Sequence, residues 1–162
     1  RVRRQRQMCI RDSEKIDQAA EKFGMPMGPL ELMDMVGLDI CNKVGEELSL
    51  APEGEGSQDN VLASLVKQGK LGKKTGRGFY QWEDGKPKRE PMEFSDTELT
   101  RLGEKLMAPL LAEAARAEAE GVVADADHVD AGVIFGTGFA PFLGGPLHYA
   151  KTKDAAKNKE AA

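Results

Sequence analysis

A corner written in glycine and proline, present twice, most limits how this chain can fold. Phe23-Gly24-Met25-Pro26-Met27-Gly28-Pro29-Leu30 reads as the end of one helix, a rigid turn and the start of a second helix. Gly24 can take the left-handed conformation that closes a helix, Pro26 and Pro29 fix φ, and Pro29 suits a first helical turn because it has no amide proton to leave unpaired. Met25, Met27, Leu30 and Met33 crowd the corner, so it is expected to be buried against a partner helix. The same grammar returns later. Ile16-Asp17 precedes the first corner, and Val129-Asp130 precedes Gly138-Phe139-Ala140-Pro141-Phe142-Leu143-Gly144-Gly145-Pro146-Leu147, with a small insertion. An internal repeat whose copies cannot bury their apolar faces alone predicts two related half-domains packed on each other.

Periodicity fills in the helices around the corners. Ser13 is placed to cap a helix with Ile16, Ala19, Ala20 and Phe23 on one face, closed at Gly24. Leu30 to Val36 and Leu38 to Leu50 read as two helical pieces parted by Gly37, with Leu38, Cys41, Val44 and Leu48 as the inward stripe of the second. Residues 51–57 read as a loop, and Val61, Leu62, Leu65 and Val66 as one side of a short helix stopped by Gly69. Phe79-Tyr80-Gln81-Trp82 is expected to be extended and pinned to the core, and residues 83–94 to be a solvent-facing linker. Ser95-Asp96-Thr97-Glu98 has the form of a capping box for a long helix carrying Leu99, Leu102, Leu106 and Leu110, kinked at Pro109 and ended at Gly121. Asp125 or Asp127 caps the next helix. The resulting organisation is an all-α helical bundle: a leader at 1–12, a first repeat at 13–82, a linker at 83–94, a second repeat at 95–150 and a polar tail at 151–162.

Charge narrows the function classes. The opening twelve residues carry five arginines and one aspartate, so without them the net charge falls from −4 to −8. They show no helical apolar face and read as foreign to the domain; the rival reading is a basic arm for nucleic acid. An acidic domain repels a phosphate backbone, so no nucleic-acid partner is expected. The longest apolar runs fall well short of the ~20 residues that cross a bilayer, so no membrane span is expected. Cys9 and Cys41 form neither a disulfide framework nor a metal spacing.

The local motifs that resemble catalytic signatures each fail on one residue. Gly136-Thr137-Gly138-Phe139-Ala140-Pro141 begins like a dinucleotide fingerprint, but Pro141 stands at the third glycine and the preceding residues read as helix. Gly72-Lys73-Lys74-Thr75 lacks the glycine directly before the Lys-Thr pair that a phosphate loop needs. Its expected role is a structural turn, with CoA-phosphate contact through Lys73, Lys74 or Arg77 as the alternative. His128 and His148 have no neighbour in sequence that would orient either as a base. No catalytic and no metal-ligating residue is assigned.

Three ordered motifs carry a family likeness: Gly24 to Asp39, Gly72-Lys73-Lys74-Thr75-Gly76-Arg77-Gly78-Phe79-Tyr80, and Phe135 to Phe142 with Gly144-Gly145-Pro146. Over roughly residues 13 to 150 the chain resembles the C-terminal helical region of 3-hydroxyacyl-CoA dehydrogenases, most of all in the multifunctional fatty-acid oxidation proteins, which carry two copies of it; the resemblance implies that the first copy, residues 13–82, is incomplete. The resemblance implies the 6-phosphogluconate dehydrogenase C-terminal-like fold and a role in fatty-acid β-oxidation in a bacterial cytoplasm. It also implies an acyl-CoA substrate, with NAD held by a Rossmann domain outside this chain. It leaves oligomerisation open. Phe135 matches an aromatic position associated with substrate binding, where the family has Tyr; packing against an acyl chain and filling the helix-helix core both remain readings of it. The implied function is the substrate-cleft and packing part of an NAD-dependent L-3-hydroxyacyl-CoA dehydrogenase, inactive alone. The alternative is a non-catalytic helical dimerisation or assembly module.

Overall fold

The structure is a computed structural model describing residues 2–48 and 61–160. Its described part is helical apart from one small hairpin: α1 Val2–Phe23, α2 Pro29–Val36, α3 Leu38–Glu47, α4 Val61–Lys67, β1 Gln81–Glu83, β2 Lys86–Lys88, α5 Asp96–Ala119, α6 Ala126–Thr137 and α7 Pro146–Glu160. The chain divides into two compact units. One comprises residues up to Asp17 with Met27–Phe94; the other comprises Gln18–Pro26 with the chain from Ser95 onward.

In the first unit α2, α3 and α4 pack in sequence, and the short 3-10 turn Lys73–Thr75 sits against α2. Pro29 opens α2 as its first helical residue. Gly37, at φ +112, breaks α2 from α3, a conformation that L side chains rarely adopt. Leu38 is fully buried, yet Val44 and Leu48, expected on the same inward stripe, are exposed. The loop expected at 51–57 lies outside the described residues. Tyr80 and Trp82 are buried as the sequence implied.

In the second unit α5, α6 and α7 pack on one another. Ala114, Val129 and Leu147 form the core, with Ala126 and Val133 against them. Phe23 meets Phe139 edge-on at 5.8 Å between ring centroids and Tyr149 at 5.2 Å. Gly103 lets α5 approach closely, since a Cβ there would lie 2.7 Å from the Ala19 carbonyl oxygen.

Four expectations are corrected. The first helix begins at Val2 rather than at a Ser13 cap, because Arg, Gln and Met are good helix formers even without an apolar stripe; Ser13 is a buried mid-helix residue. Residues 83–88 are hairpin, not linker. Asp84 at φ +51 and Gly85 at φ +78 form the two-residue turn that pairs Glu83 with Lys86 and Trp82 with Pro87. The tail from Lys151 continues α7 to Glu160, and Lys153 Nζ reaches Glu104 Oε1 at 2.7 Å and lies over the Tyr149 ring. Ser95 occupies the N-cap of α5, but its side chain makes no capping bond. That helix runs through Pro109 to Ala119 and stops before Gly121, which sits at φ +68.

Candidate functional site

Three buried aspartates organise the regions where the sequence motifs lie. Asp17 is fully buried. Its Oδ1 accepts the Leu30 amide at 2.8 Å, and its Oδ2 accepts the Glu31 amide at 3.0 Å and the Tyr80 hydroxyl at 2.7 Å. The carboxylate thus satisfies donors that the first turn of α2 leaves without intrahelical partners, at the positive end of the helix dipole. Gly28 is forced by this contact, since a Cβ there would stand 2.1 Å from Asp17 Cγ. Burial pushes the Asp17 carboxyl above its ordinary range, against the opposing pull of the Leu30 amide, the Tyr80 hydroxyl and Arg89. Burial, then the bond to Asp17, raises the Tyr80 phenol.

The second unit repeats the device. Asp130 accepts the Leu147 amide at 2.7 Å and the His148 amide at 3.0 Å, at the start of α7. Gly145 stands where a Cβ would lie 2.3 Å from Asp130 Cγ. Pro146 opens α7 as Pro29 opens α2.

Asp34, on α2, has a different task. Its carboxylate accepts the amides of Phe79 and Tyr80, each at 2.9 Å, and the indole Nε1 of Trp82 at 3.0 Å. Two glycines give it room: a Cβ on Gly78 would fall 2.0 Å from Asp34 Oδ1, and one on Gly72 would fall 2.2 Å from the Asp34 carbonyl oxygen. The run from Gly72 to Trp82 is therefore wrapped around one side chain. Arg89, following the hairpin, adds an ion pair with Glu14 at 3.3 Å and longer ones with Glu31 at 3.7 Å and Asp17 at 3.9 Å.

The lysines of the supposed phosphate loop are tied into this turn. Lys74 Nζ bonds both Asp39 oxygens at 2.6 and 2.7 Å, and Lys73 Nζ lies 5.5 Å from the Trp82 ring centroid. The Arg77 carbonyl accepts the Gly72 amide, which closes the turn. These contacts support the structural role expected of the segment.

His128 does have an orienting partner. Its Nδ1 lies 2.7 Å from Asp125 Oδ1, the same oxygen that caps α6 by accepting the His128 amide at 3.0 Å. The pair is exposed: the hydrogen bond and charge of Asp125 raise the His128 imidazole, and the bond from His128 lowers the Asp125 carboxyl. His148 is exposed on α7, its ring against Gly144. Cys41 Sγ reaches toward the Met33 carbonyl at 3.9 Å, and burial pushes its thiol up; the Cys9 side chain lies outside the described residues. Among the described residues no group of three acidic, His or Cys side chains is placed to hold a metal ion.

Phe135, in the last turn of α6, is 89% exposed, so it does not fill a helix-helix core. Phe142, in the 3-10 turn Pro141–Leu143, is 76% exposed. Gly136 and Thr137 end α6, and Gly138 caps it at φ +72. A dinucleotide pyrophosphate needs amides at a helix N-terminus, whereas this glycine run presents the carbonyl end of α6, so it does not fit NAD.

The family model described as 3-hydroxyacyl-CoA dehydrogenase, C-terminal domain, matches residues 7–82. Residues 7–82, somewhat under half of the chain, are thus similar to that domain. Its match begins inside the segment set apart above as a leader. The chain is also 39% identical over 155 residues to the fatty acid oxidation complex subunit alpha of Vibrio cholerae, covering 89% of this chain and 22% of that protein. The corresponding subunit of Shewanella halifaxensis is 35% identical over 154 residues, covering 88% and 22%. The chain thus spans about a fifth of the length of these relatives. Among solved structures, the dehydrogenase part of multifunctional enzyme 1 from C. elegans superposes with a TM-score of 0.51 at 23% identity, over 68% of this chain and 27% of that one, a likeness of fold. Asp17, Asp34 and their glycines all fall inside the matched residues. Sequence reasoning marked Asp17 and Asp130 only as flags of the repeat and gave Asp34 and Phe142 no role. The usable signal was an aspartate recurring ahead of each Gly-Pro-Leu corner.

Proposed function

We propose that the chain is the helical part of an NAD-dependent L-3-hydroxyacyl-CoA dehydrogenase of bacterial fatty-acid β-oxidation, located in the cytoplasm. It presents one wall of the acyl-CoA cleft to a Rossmann domain, and Phe135 contacts the acyl part of the substrate. NAD supplies the hydride acceptor when bound by that other domain. The residues of this chain bind and orient. Phe135 offers an aromatic face but no hydroxyl, so it packs against a thioester or alkyl chain without donating a hydrogen bond. The observation that carries the reading is the exposed placement of Phe135 one turn before the Gly138 cap, in a chain similar to fatty acid oxidation proteins.

Residues 13–82 and 95–150 act as two copies of one helical repeat in this reading. The support is the Asp17 and Asp130 clamps, which hold the same kind of helix start with the same pair of backbone amides.

Isothermal titration of the chain with a 3-hydroxyacyl-CoA tests it. Saturable binding that Phe135→Ala weakens is expected, with no NADH formed when NAD is added. Turnover by the chain alone would contradict the assignment of hydride transfer to another domain. The assembly-module reading has one observation in its favour: Leu32, Val36, Ile40 and Val44 are exposed on α2 and α3 at four-residue spacing. Self-association without thioester binding would select it.

A further inference from the structure

We infer that Phe142 is a specificity residue for the hydrocarbon tail of the acyl-CoA, an exposed aromatic ledge in an uncharged stretch of the second unit; this rests on the cleft-wall reading above. Three observations lead to it.

The first is exposure in a place that needs explaining. Phe142 and Phe135 are the two most exposed of the large hydrophobic side chains among the described residues. Yet Phe139 and Ala140, between them, are fully buried, so the segment that carries the pair is firmly seated. Seated backbone with its aromatic rings turned outward is a surface held for contact rather than a frayed loop.

The second is that the ring of Phe142 is propped. A Cβ on Gly24 would lie 2.5 Å from Phe142 Cζ, 2.9 Å from Cε1 and 2.7 Å from Ala140 Cβ. One edge of the ring therefore rests on the bare backbone of the helix-ending corner, which fixes its position while leaving most of it open. Pro26, two residues on and exposed, is the atom group nearest Gly138, three residues after Phe135. Phe142 and the Gly138 cap therefore both lie against the Gly24 to Pro26 corner.

The third is charge. In a chain with 31% charged residues, none occurs from Ala131 to Leu147 or from Phe23 to Leu30. An ionic headgroup finds no counter-charge along these segments, whereas an alkyl chain loses nothing by lying against them. The chemistry of the ledge therefore fits the tail of a thioester and not its phosphates.

The test titrates the full chain with butyryl-CoA and decanoyl-CoA and repeats this for Phe142→Ala, with Val122→Ala as an exposed apolar control outside the uncharged segments. Decanoyl-CoA is expected to bind more tightly than butyryl-CoA, by up to roughly fourfold per methylene that becomes buried. Phe142→Ala is expected to lower decanoyl-CoA affinity about tenfold and butyryl-CoA affinity less than about twofold, with the thermal midpoint unchanged. Unaltered decanoyl-CoA affinity in Phe142→Ala, beside binding by the parent chain, overturns the role of Phe142 alone. Self-association abolished by Phe142→Ala, with thioester affinity unaffected, assigns the ledge to a second copy and also overturns it. Failure of the parent chain to bind either thioester overturns the cleft-wall reading and this inference together.

Discussion

The two units hold their corners by the same device and differ in what they build next to it. In each, an aspartate accepts two successive backbone amides at the start of a helix opened by proline, and a glycine gives it room: Asp17 with Gly28, Asp130 with Gly145. Four residues beyond the clamped leucine the units part. Leu30 is followed by Asp34, the buried anchor of the loop and hairpin, and Leu147 by Lys151, which is exposed. The shared part defines the corner; the unshared part decides whether an extended, aromatic segment can be attached. A single buried carboxylate makes that difference by accepting two amides and an indole that burial would otherwise leave to be satisfied elsewhere.

The comparison breaks most visibly at Asp34. Asp34→Ala removes three hydrogen bonds to a buried charge and strands their donors, and is expected to cost about 4 kcal/mol in urea unfolding. Lys151→Ala, at the corresponding place in the other unit, is expected to stay within about 0.5 kcal/mol. Equal effects would show that the units do not differ as described.

The glycines sharpen the same point. Gly28 sits at φ −67, where an alanine collides with the Asp17 side chain without backbone strain, whereas Gly145 sits at φ +106, where alanine adds backbone strain to its collision with Asp130. Both alanine variants are expected to destabilise, Gly145→Ala by about 1 kcal/mol more than Gly28→Ala. Thermal or urea unfolding of the pair reads the ranking.

Tyr80 joins the anchor to the clamp. Tyr80→Phe keeps the ring and removes one hydrogen bond to Asp17, an expected loss of about 1.5 kcal/mol. Because that bond lowers the Asp17 pKa against the raising effect of burial, its removal is expected to move the Asp17 titration further up, read by carboxyl carbon NMR. A folded-state value above the unfolded one means that the Asp17 contribution is fully present below the ordinary carboxylate range and lost as pH rises through the folded value. Tyr80→Phe therefore shifts that loss to higher pH. An unmoved titration would contradict the hydrogen bond.

The smallest effect belongs to the exposed Asp125-His128 pair at the start of α6. The raised His128 contributes stability below the ordinary imidazole pKa that is lost as pH rises through its folded value. The lowered Asp125 contributes stability above the ordinary carboxylate range that is lost as pH falls through its own. Asp125→Ala is expected to return the His128 titration toward that of a free histidine by proton NMR.

The corners and the helices between them were legible because glycine and proline act through backbone geometry that a sequence displays directly. The hairpin was missed although Asp84-Gly85 is a strong turn signal, because the lysines and prolines that follow it give the segment the composition of a linker. The aspartates were harder to place. A charged residue is assigned to the surface by default, and Asp34 finds its donors only when residues far along the chain are brought to it. The exposure of Val44 and Leu48 escaped for the complementary reason, since apolar spacing along a helix marks a face without saying what covers it. Phe135 was singled out by likeness alone, and Phe142 entered only as part of the repeated corner.

Amide hydrogen exchange, followed residue by residue by NMR in the parent chain and in Asp17→Asn and Asp130→Asn, tests the equivalence of the clamps most directly. The account predicts that Leu30, Glu31, Leu147 and His148 are all protected, although first-turn helix amides ordinarily exchange freely. It also predicts that each substitution deprotects its own pair and spares the other. Free exchange of either pair in the parent chain would contradict it.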